Sequence, residues 1–241
     1  DRTKGIHTFR NSVIVKSGVS LLDLIDYAND QGLGGLENLA GIPGTVGGAI
    51  YGNAGAYGQT ISDHLIQVAV FDTGSQTRKV IKRDDCEFSY RDSAFKRNGQ
   101  IILETTFDLS PADKEALIKT SAETIKKREV KYPPGIKCPG SFFKNIIASE
   151  LAPEILARIP EDKIVYGKVP AGTLLEMVGA KGDSLGQIEV APYHANLFIN
   201  KGEGTALDFY SLAKKYFDKV YDKFGIKLEP EVQLINLPGL Q

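Results

Sequence analysis

The order of apolar and polar positions predicts a chain of mixed strands and helices. β-Branched residues at Val13–Val15 predict a strand, and Val19–Gln31 carries leucine, isoleucine and alanine at helical spacing up to a glycine. Alternating apolar residues predict a hairpin of Leu65–Phe71 with Lys79–Ile81, joined by an Asp-Thr-Gly-Ser turn. The same alternation predicts a further strand at Gln100–Leu109.

A break in this pattern separates two predicted domains. The charged amphipathic segment Ala112–Val130 predicts a helix, and the Tyr-Pro-Pro-Gly sequence at residues 132–135 cannot continue it, because proline lacks the backbone N–H donor. Beyond this linker the pattern predicts a helix at Ala171–Val178, strands at Gln187–Val190 and Leu197–Asn200, a long helix at Thr205–Phe224 and a closing strand at Lys227–Ile235. We therefore expect an α+β fold.

Composition and charge point to a small-molecule partner. The 241 residues are 42% hydrophobic and carry a net charge of −1. This is enough for a packed core, without the basic stripe that favours nucleic acid or the long apolar run of a membrane helix. Cys86 and Cys138 form no CxxC pair, and the three histidines form no HxxxH pair. We expect a cytoplasmic monomer with no metal site, no nucleic-acid partner and no membrane partner.

The most unusual stretch of the sequence is Gly41–Gly58, which reads GIPGTVGGAIYGNAGAYG and holds seven glycines in eighteen residues. Glycine lets backbone N–H groups line a surface without a Cβ in the way, so this loop is expected to hold a phosphorylated cofactor. Its spacing matches neither the Gly-Lys-Ser/Thr ending of a Walker loop nor the Rossmann pattern. A glycine-rich turn inside a β-rich domain is the alternative.

Three polar residues also stand out, and each has a plain structural alternative. Ser141 follows Pro-Gly and precedes two phenylalanines, and it could simply cap the following turn. Arg91 could pair with Asp92 or Asp85 at the surface. Glu231 could lie on the outward face of an edge strand. Taken separately, none of the three indicates catalysis.

Six sequence blocks, taken in order, resemble one enzyme family. The blocks are GLENLAGIPGTVGGAIYGNAGAYG, SYRDSAFK, GSFFKN, AGTLLEMVGAKG, HANLFIN and LEPEVQLI. They are similar to the UDP-N-acetylenolpyruvoylglucosamine reductases, flavoenzymes of bacterial cell-wall precursor synthesis. The resemblance implies an FAD-binding domain of the vanillyl-alcohol-oxidase type at residues 1–131, a substrate-binding domain at 132–226 and a C-terminal strand at 227–241 that returns to the active site. It also implies the shorter subtype, here without most of the N-terminal FAD subdomain.

The resemblance assigns roles to individual residues. It implies that Ser141 is the proton donor, that Arg91 binds the substrate carboxylate and that Glu231 completes the catalytic set. The residues expected near FAD are Gly44, Thr45, Gly47, Gly48, Asn53, Gly55 and Ala56, and those expected near substrate are Asn145, Lys131, His194 and Tyr90. Ile146 stands where the family commonly has proline, and the resemblance does not explain an insertion at Ile146–Val169.

The expected reaction requires these residue types. Hydride addition to the β-carbon of an enolpyruvyl ether builds negative charge on a carboxylate, which a planar guanidinium such as Arg91 and a protonated Glu231 can stabilise. The α-carbon then needs a proton, which the Ser141 hydroxyl can supply. No side chain transfers hydride, so FAD recharged by NADPH is expected. Two alternatives stay open: another FAD-dependent oxidoreductase of the same fold, such as an alcohol or hydroxy-acid oxidase, or a non-catalytic sugar-nucleotide-binding remnant.

Overall fold

The computed structural model describes residues 5–240. Its contacts divide the chain into two compact units, the first ending at Val130 and the second beginning at Lys131. Each unit encloses its own hydrophobic core. Within residues 5–240, no helix has the length and apolar character that crossing a bilayer requires.

A five-stranded antiparallel sheet forms the centre of the first unit. The elements along this part of the chain are β1 (Ile6–Phe9), β2 (Ser12–Lys16), α1 (Leu21–Asp30), β3 (Leu33–Gly34), α2 (Val46–Tyr51), β4 (Gly55–Ala56), β5 (Gln59–Thr60), β6 (Leu65–Asp72), β7 (Thr77–Lys82), β8 (Ile101–Asp108), β9 (Ser110–Pro111) and α3 (Lys114–Lys131). The sheet order is β1-β2-β8-β6-β7. Two small antiparallel pairs, β3 with β9 and β4 with β5, lie outside it.

The sheet buries one face because β-branched and aromatic residues alternate along its strands. Val13, Val15, Val68, Val70 and Phe107 are all fully buried. The predicted first strand, the hairpin and the strand near residue 100 are confirmed by β2, by the pairing of β6 with β7, and by β8. The predicted helices on either side of these strands are confirmed by α1 and α3.

The glycine-rich segment is not a continuous loop, contrary to the prediction. It contains α2, which begins after Thr45, whose Oγ1 accepts a hydrogen bond from the N–H of Gly48 at 3.2 Å. Val46, Ala49 and Ile50 stand at helical spacing and are buried. The helix forms despite its two glycines because burial of this face outweighs their poor helix propensity.

The second unit combines short strands with one long helix. Its elements are β10 (Ile146–Ile147), α4 (Pro153–Leu156), β11 (Lys168–Val169), α5 (Ala171–Met177), β12 (Ser184–Leu185), β13 (Ile188–Val190), β14 (Phe198–Asn200) and α6 (Ala206–Phe224). The antiparallel sheet β12-β13-β14 contacts α6. Thr205 and Asp208 cap α6 reciprocally through side chain and backbone. Helices α5 and α6 and strands β13 and β14 confirm the four elements predicted there.

The insertion Ile146–Val169 closes on itself. Its two ends pair as β10 and β11, with Ile146 opposite Val169 and Ile147 opposite Lys168. Between them, Ile155 and Ile159 pack on the core of the second unit. The insertion is therefore a folded segment with paired ends, and its apolar residues pack on the core of the second unit.

The predicted closing strand at Lys227–Ile235 is wrong. Only an isolated bridge forms there, between Phe143 and Pro230. Two backbone hydrogen bonds flank it, from Lys144 N–H to the carbonyl of Glu229 at 2.9 Å and from Glu231 N–H to the carbonyl of Phe142 at 2.7 Å. Proline has no N–H to extend a ladder, so Pro230 limits the pairing to this short stretch.

Candidate active site

The first turn of α2 uses its backbone N–H groups inside the protein. The N–H of Val46 donates to the carbonyl of Val19 and that of Gly47 to the carbonyl of Ser17, both at 2.9 Å. The N–H of Gly48 donates to Thr45 Oγ1. These three N–H groups are therefore satisfied within the chain, so a ligand at this turn would contact its exposed atoms without taking these amides as hydrogen-bond donors.

An open cavity of about 410 Å³ lies beside the glycine-rich segment. It is lined by Ser17, Gly18, Thr45, Gly47, Gly48, Tyr51, Gln100, Ile101 and Ile102. Sequence reasoning missed the wall formed by residues 100–102. The sequence carries no signal for this wall, because the 53% exposure of Ile101 is seen only in the structure.

The two adjacent glycines of α2 have different surroundings. A Cβ added at Gly47 would come within 2.8 Å of the Ser17 Cβ and 3.2 Å of the Ser17 carbonyl oxygen. A Cβ added at Gly48 would meet only Thr45 Oγ1, at 3.6 Å. Packing within the chain thus requires glycine at position 47. At Gly48, the absence of a side chain leaves the backbone exposed to the cavity. Gly44 is also exposed, with no atom within 4 Å of an added Cβ.

Arg91 lies against the end of the glycine-rich segment. Its Nη2 donates to the carbonyl of Gly55 at 2.8 Å, and its backbone has a left-handed φ of 56°. A Cβ at Gly55 would come within 3.2 Å of Arg91 Nη1 and 2.9 Å of Thr60 Cγ2. The guanidinium carbon also stands 5.4 Å from the centre of the Tyr90 ring. The Arg91 side chain is half-buried, and Asp92 forms an ion pair with Arg97.

Asn53 is nearly fully buried just before Gly55 and Ala56. Its Nδ2 donates to the carbonyl of Ser89 at 2.8 Å, which ties the glycine-rich segment to the SYRDS block. Within the described part of the chain, its Oδ1 is buried without a hydrogen-bond partner. Buried acceptors are rarely left unpaired, so this oxygen marks a place where a ligand or water donor fits. Ala56 pairs with Gln59 in the β4–β5 hairpin.

In the second unit, Ser141 is held by extended backbone. An isolated bridge pairs Ser141 with Leu197, and the N–H of Phe142 donates to the carbonyl of Asn196 at 3.0 Å. The Ser141 hydroxyl lies 3.3 Å from the Tyr132 hydroxyl. The turn-capping alternative is wrong, because neither a turn nor a helix lies between Ser141 and β10.

Buried Asn196 fixes the GSFFKN segment, a role that sequence reasoning missed. Its Oδ1 accepts from the N–H of Phe143 at 2.9 Å, and its Nδ2 donates to the Phe143 carbonyl at 2.8 Å. This amide imitates a strand partner by satisfying both backbone groups of one residue. The only signal in the sequence was a polar residue inside the apolar HANLFIN block.

A backbone hydrogen bond joins the segment that holds Glu231 to the segment that holds Ser141. The N–H of Glu231 donates to the carbonyl of Phe142, the residue after Ser141. Lys144 Nζ forms an ion pair with Glu229, two residues before Glu231. The edge-strand alternative for Glu231 is wrong, because the segment contributes a single bridge to the GSFFKN segment and no regular strand.

The residues expected near substrate have distinct environments. Asn145 Oδ1 accepts from the N–H of Ala171 at 3.2 Å and so caps α5, whose own cap residue is a proline. Burial, followed by repulsion from Lys131, lowers the pKa of His194 to about 4. Its Nδ1 accepts from the N–H of Asn196 at 3.2 Å. At neutral pH, His194 therefore offers a hydrogen bond and no positive charge.

Comparison with known proteins gives matches to both halves of the chain. A family model for the C-terminal domain of UDP-N-acetylenolpyruvoylglucosamine reductase matches residues 132–235, and an FAD binding domain model matches residues 1–80. The UDP-N-acetylenolpyruvoylglucosamine reductase of Solibacter usitatus is 47% identical over 225 residues, which cover 93% of this chain and 72% of that protein. The UDP-N-acetylenolpyruvoylglucosamine reductase 2 of Bacillus cereus is 35% identical, with coverage of 96% and 69%.

A solved structure agrees with these relatives. The crystal structure of UDP-N-acetylenolpyruvylglucosamine reductase from Thermus caldophilus superimposes with a TM-score of 0.72 at 30% identity, covering 94% of this chain and 73% of that chain. The predicted resemblance, the α+β fold and the FAD-binding domain are confirmed by these matches. The chain belongs to the UDP-N-acetylenolpyruvoylglucosamine reductase family.

Proposed function

We propose that this protein is an FAD-dependent reductase that uses NADPH to convert UDP-N-acetylglucosamine enolpyruvate to UDP-N-acetylmuramate. The observation that carries the proposal is the 47% identity, over 93% of the chain, to a relative named UDP-N-acetylenolpyruvoylglucosamine reductase. The residue types that the reaction requires are present as Arg91, Ser141 and Glu231.

The glycine-rich face of the first unit fits part of FAD. Its cavity of about 410 Å³ has the size of a ligand pocket and joins open backbone at Gly48 with the Tyr51, Ile101 and Ile102 side chains. We assign cofactor contact to Gly48, Thr45 and the exposed backbone of Gly44. Asn53 does not line this cavity, but its buried Oδ1, which has no partner within residues 5–240, would accept a hydrogen bond from a further donor. When bound, FAD supplies the hydride transfer that no side chain performs.

Arg91 would stabilise the charge that develops on the substrate carboxylate. Its planar guanidinium matches a carboxylate with two parallel hydrogen bonds. The bond to Gly55 and the left-handed backbone fix the side chain before substrate binds. A preorganised donor of this kind contributes about 3 kcal/mol, or roughly 10²–10³ in rate.

Ser141 would deliver the proton to the α-carbon, and Glu231 would assist at the carboxylate. A carbon that carries enediolate charge is strongly basic, so even a weakly acidic hydroxyl can protonate it. The bridge to Leu197 fixes the Ser141 backbone, which favours delivery to one face. Glu231, in its protonated form, would donate a hydrogen bond to the developing oxyanion.

We also propose that the protein works as a monomer in the cytoplasm. The free thiols Cys86 and Cys138 are typical of a reducing compartment. The two rival functions predict different reactions. An oxidase of alcohols or hydroxy acids would use O₂ and release hydrogen peroxide, and a non-catalytic remnant would bind the sugar nucleotide without consuming NADPH.

A steady-state assay tests the proposal. Protein loaded with FAD should consume NADPH only when the enolpyruvyl sugar nucleotide is present, and mass spectrometry should find a product heavier by two hydrogens. Peroxide formation with a hydroxy acid would support the oxidase. Binding of the sugar nucleotide without NADPH consumption would support the remnant.

A further inference from the structure

Tyr132 stands beside the serine that we propose as proton donor. Its phenol oxygen is 3.3 Å from Ser141 Oγ, and both residues are half-buried. Tyr132 directly precedes Pro133, and a residue before proline is restricted to extended backbone. The phenol therefore reaches Ser141 from a backbone with few alternative conformations.

We infer that Tyr132 is a positioning residue for Ser141, whose oxygen accepts a hydrogen bond from the phenol. This inference rests on the proposed function. The direction of the bond follows from acidity, because a phenol is a stronger acid than an aliphatic alcohol. The bond orients the serine hydroxyl and stabilises the negative charge that forms on Oγ as the proton leaves for the α-carbon.

The surroundings of Tyr132 agree with this role. Lys131 Nζ lies 5.1 Å from the centre of the Tyr132 ring, so a cation is close to the pair when negative charge develops. The oxygen–oxygen distance is longer than the usual range of O–H···O hydrogen bonds. Hydrogen bonds at catalytic sites often tighten only in the complex with substrate, so the effect of the phenol is concentrated in the proton-transfer step.

Rapid kinetics on the FAD-loaded protein tests the inference. Tyr132→Phe should slow flavin reoxidation by the enolpyruvyl sugar nucleotide about 3- to 10-fold, the range of one neutral hydrogen bond, and leave flavin reduction by NADPH unchanged. In a Ser141→Ala background the same substitution should have no further effect. The control is Tyr210→Phe, which removes another hydroxyl of the second unit that donates to a backbone carbonyl, at Gly239. An unchanged reoxidation rate in Tyr132→Phe, or a full additional loss in the Ser141→Ala background, would overturn the inference.

A second measurement reports the contact without turnover. In protein labelled with 3-fluorotyrosine, the ¹⁹F resonance of Tyr132 is assigned by its loss in Tyr132→Phe. Ser141→Ala should shift that resonance and leave the resonance of Tyr210 in place, whereas an unmoved Tyr132 resonance would refute the contact. Failure of the wild-type protein to consume NADPH with substrate would instead refute the proposed function on which the inference rests.

Discussion

The glycine-rich segment of the first unit and the GSFFKN segment of the second present their functional groups in opposite ways. In the first, backbone is left open at Gly48, and side chains are absent where a ligand would come close. In the second, a functional side chain at Ser141 is presented by backbone that the Asn196 amide holds in place. The first segment should therefore be sensitive to added volume, and the second to the loss of a single polar group.

The largest expected effect is the loss of the Ser141 hydroxyl. Ser141→Ala should slow flavin reoxidation by the enolpyruvyl sugar nucleotide by about 10²-fold or more, because the α-carbon loses its proton donor. Flavin reduction by NADPH should be nearly unchanged, since it needs no proton at that carbon. Cysteine at this position should restore part of the rate. Stopped-flow absorbance separates the two steps, with Ser184→Ala, at an exposed serine, as the control. Normal reoxidation in Ser141→Ala would remove Ser141 from the mechanism.

The neighbouring glycines of α2 form a matched pair that tests the first segment. Gly47→Ala should destabilise the fold by about 1–3 kcal/mol, because the new methyl group would overlap Ser17. Gly48→Ala has room and improves helix propensity, so stability should stay level or rise by up to about 1 kcal/mol.

The FAD affinity of Gly48→Ala should nevertheless fall, since the methyl group faces the cavity. Thermal unfolding measures the stability of both variants, and FAD titration of the folded protein measures affinity. Equal FAD affinity in Gly48→Ala and wild type would place the cofactor elsewhere.

A smaller effect is expected from the protonation of His194. The pKa of His194 is lowered from the ordinary 6.5 to about 4 in the folded state. Between about pH 6.5 and pH 4, His194 is therefore protonated in the unfolded chain and neutral in the folded chain. The contribution to stability is therefore complete above pH 6.5 and is lost as the pH falls toward 4. Because the ring is partly exposed, we expect a loss of about 1–2 kcal/mol.

Unfolding free energies measured from pH 7 to pH 4 test this expectation. His194→Gln should flatten the pH dependence, and His7→Gln, at an exposed histidine, should not. Identical slopes in His194→Gln and wild type would show that the low pKa makes no contribution to stability.

The smallest effect is expected at Asn145, where a capping role competes with a substrate role. Asn145→Ala removes the acceptor for the N–H of Ala171 and should cost about 1 kcal/mol of stability. Asn145→Asp retains the acceptor and should keep most of that stability. If the unfolding free energies of both variants equalled that of the wild type, the cap would make no contribution to stability. A higher KM in Asn145→Asp at unchanged stability would indicate substrate contact.

The positions of most helices and strands could be predicted because their apolar faces are buried within the same unit. Val13 and Val15 in β2, and Leu212 and Tyr216 in α6, repeat with the period of their element and lie in the core. Helix α2 escaped prediction because its glycines disfavour helix, and contacts to Ser17 and Val19 stabilise it from outside the segment. The false closing strand had the right alternation but contains Pro230.

The candidate site was less accessible to sequence reasoning. Ser141, Arg91 and Glu231 emerged from the family resemblance, and their catalytic roles stay predictions. Roles for Asn196 and Tyr132 could not be predicted from the sequence, because each role depends on a contact with a residue elsewhere in the chain. The Asn196 amide holds Phe143, which is 53 residues away in the chain. Such pairings carry no periodic signal, so they become visible only when the fold brings the partners together.

In the proposed reaction, an enolpyruvyl sugar nucleotide is the oxidant of the reduced flavin. To test this, chemically reduced, FAD-loaded protein is mixed with one equivalent of UDP-N-acetylglucosamine enolpyruvate under strict exclusion of oxygen. We expect full return of the oxidised flavin spectrum and formation of one equivalent of UDP-N-acetylmuramate. A spectrum that stays reduced until oxygen is admitted would rule out this reaction and favour an oxidase.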